Sequence, residues 1–403
     1  MIEIRPATAD EMPDFGRMVG TALARPASDF RDLRPEWTLC AFEDDRLATA
    51  YGVWPLQMRF NGAAVPIAAV TTVSTAPAAR RRGFLRQITT QHFRQLYEQQ
   101  HQPIAALYAS LAAIYQRYGY GIVSTHHRYA VEPRYIQFSH PQTVSGGVRE
   151  AAKETEFSLL VDLYRKFREQ RTGYVHRGAA MWAAGVLSEP HGIDTKSIIV
   201  YEEAGEPLGY AIYTTGPGET GAAGDPGPSQ RLEINDLIWL TPAAYRAVWE
   251  YFGRFDLVHQ IVWSQVPPDD LLPHLLLEPR MLRDSSADGV LARIVDVERA
   301  LVARSYPVAA TLRFDLLDEL CPWNTGGWEL ETGAEGSTVR RLPAGADVDL
   351  ILAPSTLAML IFNQISTSEA ARMGRLEVSD ARTLTHWDAS LRTMYRPFSA
   401  DHW

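Results

Sequence analysis

Two cysteines in 403 residues, Cys40 and Cys321, are too few and too far apart in sequence for a disulfide framework or a multi-cysteine zinc site. A reducing, cytoplasmic compartment is therefore the default expectation. No run of roughly 18 apolar residues occurs, the length a spanning helix needs, so no membrane insertion is expected. The opening MIEIRPATADEMPDF is acidic where a secretory leader would need a basic start and a continuous apolar stretch, and no export is expected. Positive charge is in deficit too. Lys and Arg number 39 against 48 Asp and Glu, a net charge of −9, which argues against broad nucleic-acid binding and leaves room for one local basic pocket. Internal repeats and low-complexity tracts are missing apart from one Gly-rich stretch.

What is present is an ordinary globular composition, 46% apolar and 22% charged, long enough for two or three domains. The first segment opens with a strand at Ile2 and a helix capped by Thr8 or Asp10. Three strands follow, over 37–43, 46–60 and 64–75, joined by turns at Asp44-Asp45 and Asn61-Gly62. A helix is predicted from Arg80, with Leu85, Ile88, Phe93 and Leu96 on its apolar face, then a strand over 104–109, a short helix ending at Gly119 and one strand over 122–131. The stretch over about 137–153, rich in Pro, Gly, Ser and Thr, reads as a connection. After it the helix, meander and helix order returns, with helices over 156–171 and from Thr241, strands over 197–201, 208–214, 231–240 and 257–266, and a Gly-rich loop over 216–229. A third segment from about 300 combines short helices with a Gly-punctuated hairpin, and its run LAPSTLAMLIFNQIS is apolar enough to line a core or a greasy cavity.

The strongest local signal is VSTAPAARRRGFLR, Val73 to Arg86, where a strand ends, three arginines and a glycine follow, and a long helix begins. The exposed N–H groups of a first helical turn and the positive end of its dipole attract an anion there. Gly83 lets backbone approach a phosphate, and Arg80, Arg81 or Arg82 adds charge-assisted hydrogen bonds. A solvated basic helix start is the bland alternative. The second signal is YASLAAIYQRYGYG, with Tyr108, Tyr115, Tyr118 and Tyr120 around a short helix, a pattern that serves packing or, at Tyr115, chemistry beside the anion site. His126 and His127 are neighbours on one strand and face opposite ways, so no metal site is expected. Asp29, Glu36 and Trp37 lie on the segment before the first hairpin, where they are either substrate-facing or ordinary surface and core residues.

At these two signals the chain resembles the GNAT superfamily of N-acetyltransferases. Arg80, Gly83 and Leu85 match its coenzyme A loop with the last position relaxed, and Ile114 to Tyr120, IYQRYGY, matches its later aromatic motif. Length, the second GNAT-like segment and the tail narrow the resemblance to the enhanced intracellular survival (Eis) family, over essentially the whole chain. The resemblance implies an α+β fold: a catalytic GNAT domain over 1–137, a degenerate GNAT-like domain over 138–299 and a sterol-carrier-like domain over 300–403, assembled as a homo-hexamer. It also implies acetyl-coenzyme A as cosubstrate, held by Val73, Thr75, Arg80, Arg81, Gly83, Phe84 and Ser110, with Tyr115 as general acid. The family's chains end in an aromatic residue whose free carboxylate enters the active site, and here the last residue is Trp403. Leu111, Ala112 and Ala113 stand where the family more often has an acidic residue and glycines.

Amine acetylation needs a positioned thioester, a proton for the departing sulfur and a base for the amine proton; Tyr115 and the Trp403 carboxylate would supply the last two. The acidic balance fits a cationic amine, an aminoglycoside or polyamine-like molecule, or lysine. The second segment has neither arginine cluster nor glycine after its strand over 231–240, and is not expected to hold coenzyme A. Two other readings are a sterol or lipid carrier with GNAT scaffolding and a transferase of longer acyl chains.

Overall fold

The computed structural model describes residues 2–30, 32–142, 145–218, 227–333 and 336–403. The first segment carries β1 (Ile2–Arg5), α1 (Met12–Leu23), β2 (Cys40–Glu43), β3 (Arg46–Phe60), β4 (Ala63–Thr75), α2 (Phe84–Gln99), β5 (Ile104–Tyr108), α3 (Ala112–Gln116), β6 (Gly121–Ile122) and β7 (Thr125–Val131). The lead-in to α1 is set by Thr8, whose backbone N–H donates to the Glu11 carboxylate at 2.8 Å. Asn61 and Gly62, with φ of 47° and 94°, form the two-residue turn that joins β3 to β4.

The second segment carries β8 (Gly147–Ala151), α4 (Lys153–Arg168), α5 (Ala179–Ala184), β9 (Thr195–Glu203), β10 (Glu206–Pro217), β11 (Gln230–Trp239), α6 (Pro242–Phe252), β12 (Val258–Val266), α7 (Leu272–Leu275), β13 (Ser285–Asp288) and β14 (Val290–Ile294). The stretch expected to be a bare connection thus contains β8, which pairs with β9. Of the expected Gly-rich loop, residues 219–226 lie outside the described residues. The third segment has α8 (Val297–Val302), β15 (Ala310–Leu316), β16 (Gly326–Gly333), β17 (Gly336–Arg341), β18 (Leu350–Leu352), α9 (Pro354–Ile361), α10 (Thr367–Arg372), β19 (Leu376–Val378) and α11 (Ala381–Leu391).

The three sheets run β1-β2-β3-β4-β5-β14-β6, β13-β7-β12-β11-β10-β9-β8 and β17-β16-β15-β18-β19. The single strand expected over 122–131 is broken at Val123 and Ser124. β6 stays in the first sheet, while β7 joins the second between β12 and β13. In return β14, late in the second segment, inserts between β5 and β6. Ser124 organises the crossing: its Oγ accepts from the Val290 N–H at 2.8 Å and its carbonyl from the Gly289 N–H at 2.9 Å. A Cβ at residue 289 would lie 2.6 Å from that Oγ, so glycine is required. By contacts the chain divides into one unit of Met1–Ser124, Gly289–Met394 and His402–Trp403 and another of Thr125–Asp288 and Tyr395–Asp401.

In the first unit one face of the sheet is covered by α2 through Phe84, Ile88, Phe93 and Leu96, packed against Ala68, Val70, Ala105 and Leu107. Another cluster joins Phe15 and Val19 of α1 to Leu33, Cys40, Phe42 and Ala50. In the second unit α6 buries Tyr245, Val248, Trp249 and Phe252, and α4 buries Leu160, Leu163, Tyr164 and Phe167. The spacing of each set is that of one helical face. Among the described residues no helix is long and apolar enough to cross a membrane.

Candidate active site

β4 and β5 run parallel but pair only at Ile67–Ile104, Ala68–Ala105 and Ala69–Ala106. Beyond Ala69 they splay, and β4 continues to Thr75 without a partner on β5. On its other edge β4 carries a bulge, since Tyr51 alone of β3 faces both Thr72 and Val73 between the pairs Gly52–Thr71 and Ala50–Ser74. Thr72 sits at φ 52°, a conformation that β-branched residues rarely take. The bulge and the splay together leave the Val73–Thr75 backbone edge facing the gap.

Into that gap opens a cleft of about 1250 Å³ whose lining lies within the first unit. Val73, Thr75, Arg80, Arg81, Gly83, Phe84, Ser110 and Tyr115 all line it. The helix expected from Arg80 begins only at Phe84, because Arg81 and Gly83 take the left-handed conformation, with φ of 63° and 84°. A side chain at residue 83 would project into open space, with no atom within 4 Å of its Cβ. No side chain caps the start of α2. Its first N–H groups, the Gly83 backbone and the exposed Arg80 and Arg81 therefore converge on the cleft, the donor set and the room that a diphosphate needs. Arg82 is drawn aside, its guanidinium bridging both oxygens of Glu43 and lying 5.1 Å from the Phe84 ring. Phe84 itself is 2% exposed, so it anchors the helix start in the core and adds only a small patch of wall.

Across the cleft, α3 presents the half-buried Tyr115. Burial, and then the neighbouring Tyr118, push its phenol up to about 12, so it keeps its proton through neutral pH. Its ring centroid is 6.0 Å from that of Tyr120, edge to face. Beneath lie Tyr51 and His92, buried and sharing a hydrogen bond of 2.9 Å. Burial holds His92 down to about 4, so it is neutral.

Trp403 and His402 dock on Tyr108, the last residue of β5, at centroid distances of 5.0 and 4.0 Å. The preceding tail residues belong to the second unit. There the Asp401 carboxylate accepts from Arg177 Nε at 2.8 Å and from the Tyr164 hydroxyl at 3.1 Å, and Phe398 is buried beside Tyr174. Asp29, Glu36 and Trp37 do not line the cleft. Asp29 pairs with Arg25 at 3.0 Å, Glu36 is exposed 3.8 Å from Arg34, and Trp37 packs on Trp54 at 5.3 Å. Sequence reasoning passed over Ser74, Arg86 and Arg117 as cleft residues, although all three stand inside the quoted motifs; Arg293 and Leu317 line it too and carry no local signal, while Pro354 lies in the apolar run LAPSTLAMLIFNQIS.

The arrangement defines an acetyltransferase of GNAT type. The Acetyltransferase (GNAT) domain family matches residues 3–123 and a second family of the same description residues 173–294, while the Sterol carrier protein domain family matches 297–399. An uncharacterized N-acetyltransferase of Streptomyces avermitilis is 31% identical, with 99% of this chain and 98% of its own length aligned. N-acetyltransferase Eis of Mycobacterium tuberculosis is 29% identical over 81% of this chain and 78% of its own. Two solved structures share the fold over the whole of both chains: Eis1 from Mycobacterium abscessus, with a TM-score of 0.85 at 24% identity, and a GCN5-related N-acetyltransferase from Anabaena variabilis, at 0.87 and 20%. The chain belongs to the Eis family of GNAT N-acetyltransferases.

Proposed function

We propose that the cleft of the first unit binds acetyl-coenzyme A and directs its acetyl group to an amine of a cationic small molecule, aminoglycoside or polyamine-like, or of lysine. The observation that carries this reading is the uncapped, glycine-opened start of α2 sharing one cleft with a proton-bearing phenol, Tyr115. The cosubstrate supplies an acyl thioester, whose carbon–sulfur bond breaks as the amine nitrogen bonds to the carbonyl carbon. The chain does the rest. The α2 start and Arg80 and Arg81 hold the diphosphate, and the unpaired edge of Val73–Thr75 offers backbone hydrogen bonds to the extended arm and its carbonyl. The Tyr115 hydroxyl carries the proton for the departing sulfur, and the Trp403 carboxylate collects the amine proton.

The test is mass spectrometry of an aminoglycoside, polyamine and lysine-peptide panel incubated with acetyl-, propionyl- and longer acyl-coenzyme A. An acetylated amine that is lost in Gly83→Asp is the expected result. No acylated product from any pair would overturn the reading, and a preference for long chains would move it to the wider acyltransferases.

A further inference from the structure

The cleft is larger than the ~300–1,000 Å³ usual for a small-molecule pocket, and about a quarter of its lining residues come from an unexpected source. Leu317–Leu320 and Ala353–Ser355, in the sterol-carrier-like segment, line the same space as the Arg80–Gly83 turn. These residues are firmly seated. α9 lies so close to the Gly119–Gly121 turn that a Cβ at 121 would be 2.3 Å from the Ser355 carbonyl oxygen, and one at 119 would be 3.3 Å from Pro354. Next to Leu317, the buried Asp318 takes two hydrogen bonds from Arg293 of β14, at 2.6 and 2.7 Å, and one from the Cys321 N–H at 2.9 Å. Leu317 itself is 60% exposed, a large apolar side chain held out on the rim of the cleft.

Resting on the reading above, we propose that the sterol-carrier-like segment is a wall of the cosubstrate site and receives its adenosine end. With the diphosphate at the α2 start and the acyl arm running toward Val73 and Tyr115, the nucleoside is left to the rest of the lining, where Tyr118, Gly119 and Leu317–Leu320 offer it a surface. Tyr118 and Leu317 give a purine an aromatic and an aliphatic surface. Arg86 and Arg117, both exposed in this lining, are the cations for the ribose 3′-phosphate. Both also oppose the upward pull of burial on the Tyr118 phenol, which puts their charge beside its ring.

Calorimetry on the full chain with coenzyme A, dephospho-coenzyme A and 4′-phosphopantetheine tests this. Leu317→Asp should weaken coenzyme A about tenfold, the scale of one lost apolar contact, and leave 4′-phosphopantetheine as in the wild type. Arg86→Ala combined with Arg117→Ala should abolish the preference for coenzyme A over its dephospho form. Unchanged coenzyme A affinity in Leu317→Asp, or equal losses for coenzyme A and phosphopantetheine, would overturn the wall. A wild-type chain that binds none of the three would instead overturn the proposed function itself.

Discussion

The two GNAT-like halves meet the same physical problem at the same place, the start of the helix that follows a splayed parallel strand, and solve it in opposite ways. In the first, α2 starts without a side-chain cap, behind a left-handed glycine, with arginines around it. In the second, α6 has Pro242 in its first turn, which has no N–H to satisfy, and Thr241, whose Oγ1 accepts from the Ala244 N–H at 3.1 Å. The gap between the strands differs as well. Where β11 and β12 part beyond Ile234 and Trp263, Trp239 fills the space, 4.7 Å from the Tyr245 ring and 6.5 Å from Trp263. One half leaves its helix donors without a side-chain cap; the other caps them and gathers aromatic rings beside them. The difference shows that a fold supplies a potential anion site, and that cap and core residues decide whether it exists.

The sharpest way to break this contrast is at the phenol. Tyr115→Phe should lower kcat by roughly 10²–10⁴-fold, the usual worth of a general acid, with little change in the KM for acetyl-coenzyme A. Because Tyr115 titrates at about 12, wild-type kcat should not fall between pH 8 and 10 from loss of that proton, as steady-state pH profiles would show.

The halves should also answer acid with opposite signs. His92 in the first is held down to about 4, so below the usual histidine value of about 6.5 the unfolded chain binds a proton that the folded one refuses. Stability present above pH 6.5 is therefore lost as pH falls toward 4, by about 3 kcal/mol at full extent. Asp270 in the second is pushed up to about 6 by burial, against the pull of the Tyr245 hydroxyl and the Leu272 N–H that donate to it. Its contribution is fully present below the ordinary aspartate value and is lost as pH rises through 6, again by about 3 kcal/mol. Urea midpoints of His92→Gln and Asp270→Asn, each referenced to wild type from pH 4 to 7, should diverge in opposite directions; parallel slopes would remove this contrast.

Two smaller effects test the helix starts directly. Gly83→Asp places a carboxylate where the diphosphate is proposed to lie and should weaken coenzyme A about 10²-fold by calorimetry, while the left-handed backbone at φ 84° costs only about 1 kcal/mol of stability in unfolding curves. Thr241→Ala should cost about 1 kcal/mol of stability in denaturant titration and leave coenzyme A affinity unchanged. Loss of affinity there would mean that the second half shares the ligand.

Local signals were readable where a few neighbouring residues decide the outcome. The Asn61-Gly62 turn, the strand that ends at Thr75, the arginine and glycine step after it and the short helix with Tyr115 all appear where the sequence places them. The helix start was misjudged by four residues because arginines favour helix, and only the left-handed Arg81 and Gly83 show that the turn is held out of it. β8 hid among Gly and Ser because pairing with β9, a tertiary event, makes it a strand. Asp29, Glu36 and Trp37 were read as substrate-facing from chain order; they meet Arg25, Arg34 and Trp54 and are not among the residues that line the cleft.

The linear pattern by itself determined the class of elements, the two strand-to-helix junctions and which of them bears arginines, since each rests on side-chain period, turn residues and charge within a few positions. Only the tertiary structure decided that β7 and β14 change sheets at Ser124 and Gly289, and that Leu317 and Pro354, more than two hundred residues from Arg80, share a cleft with it. Pairing partners and close approaches between distant segments are chosen by hydrogen-bond satisfaction and packing in three dimensions, and no short window of residues carries that information.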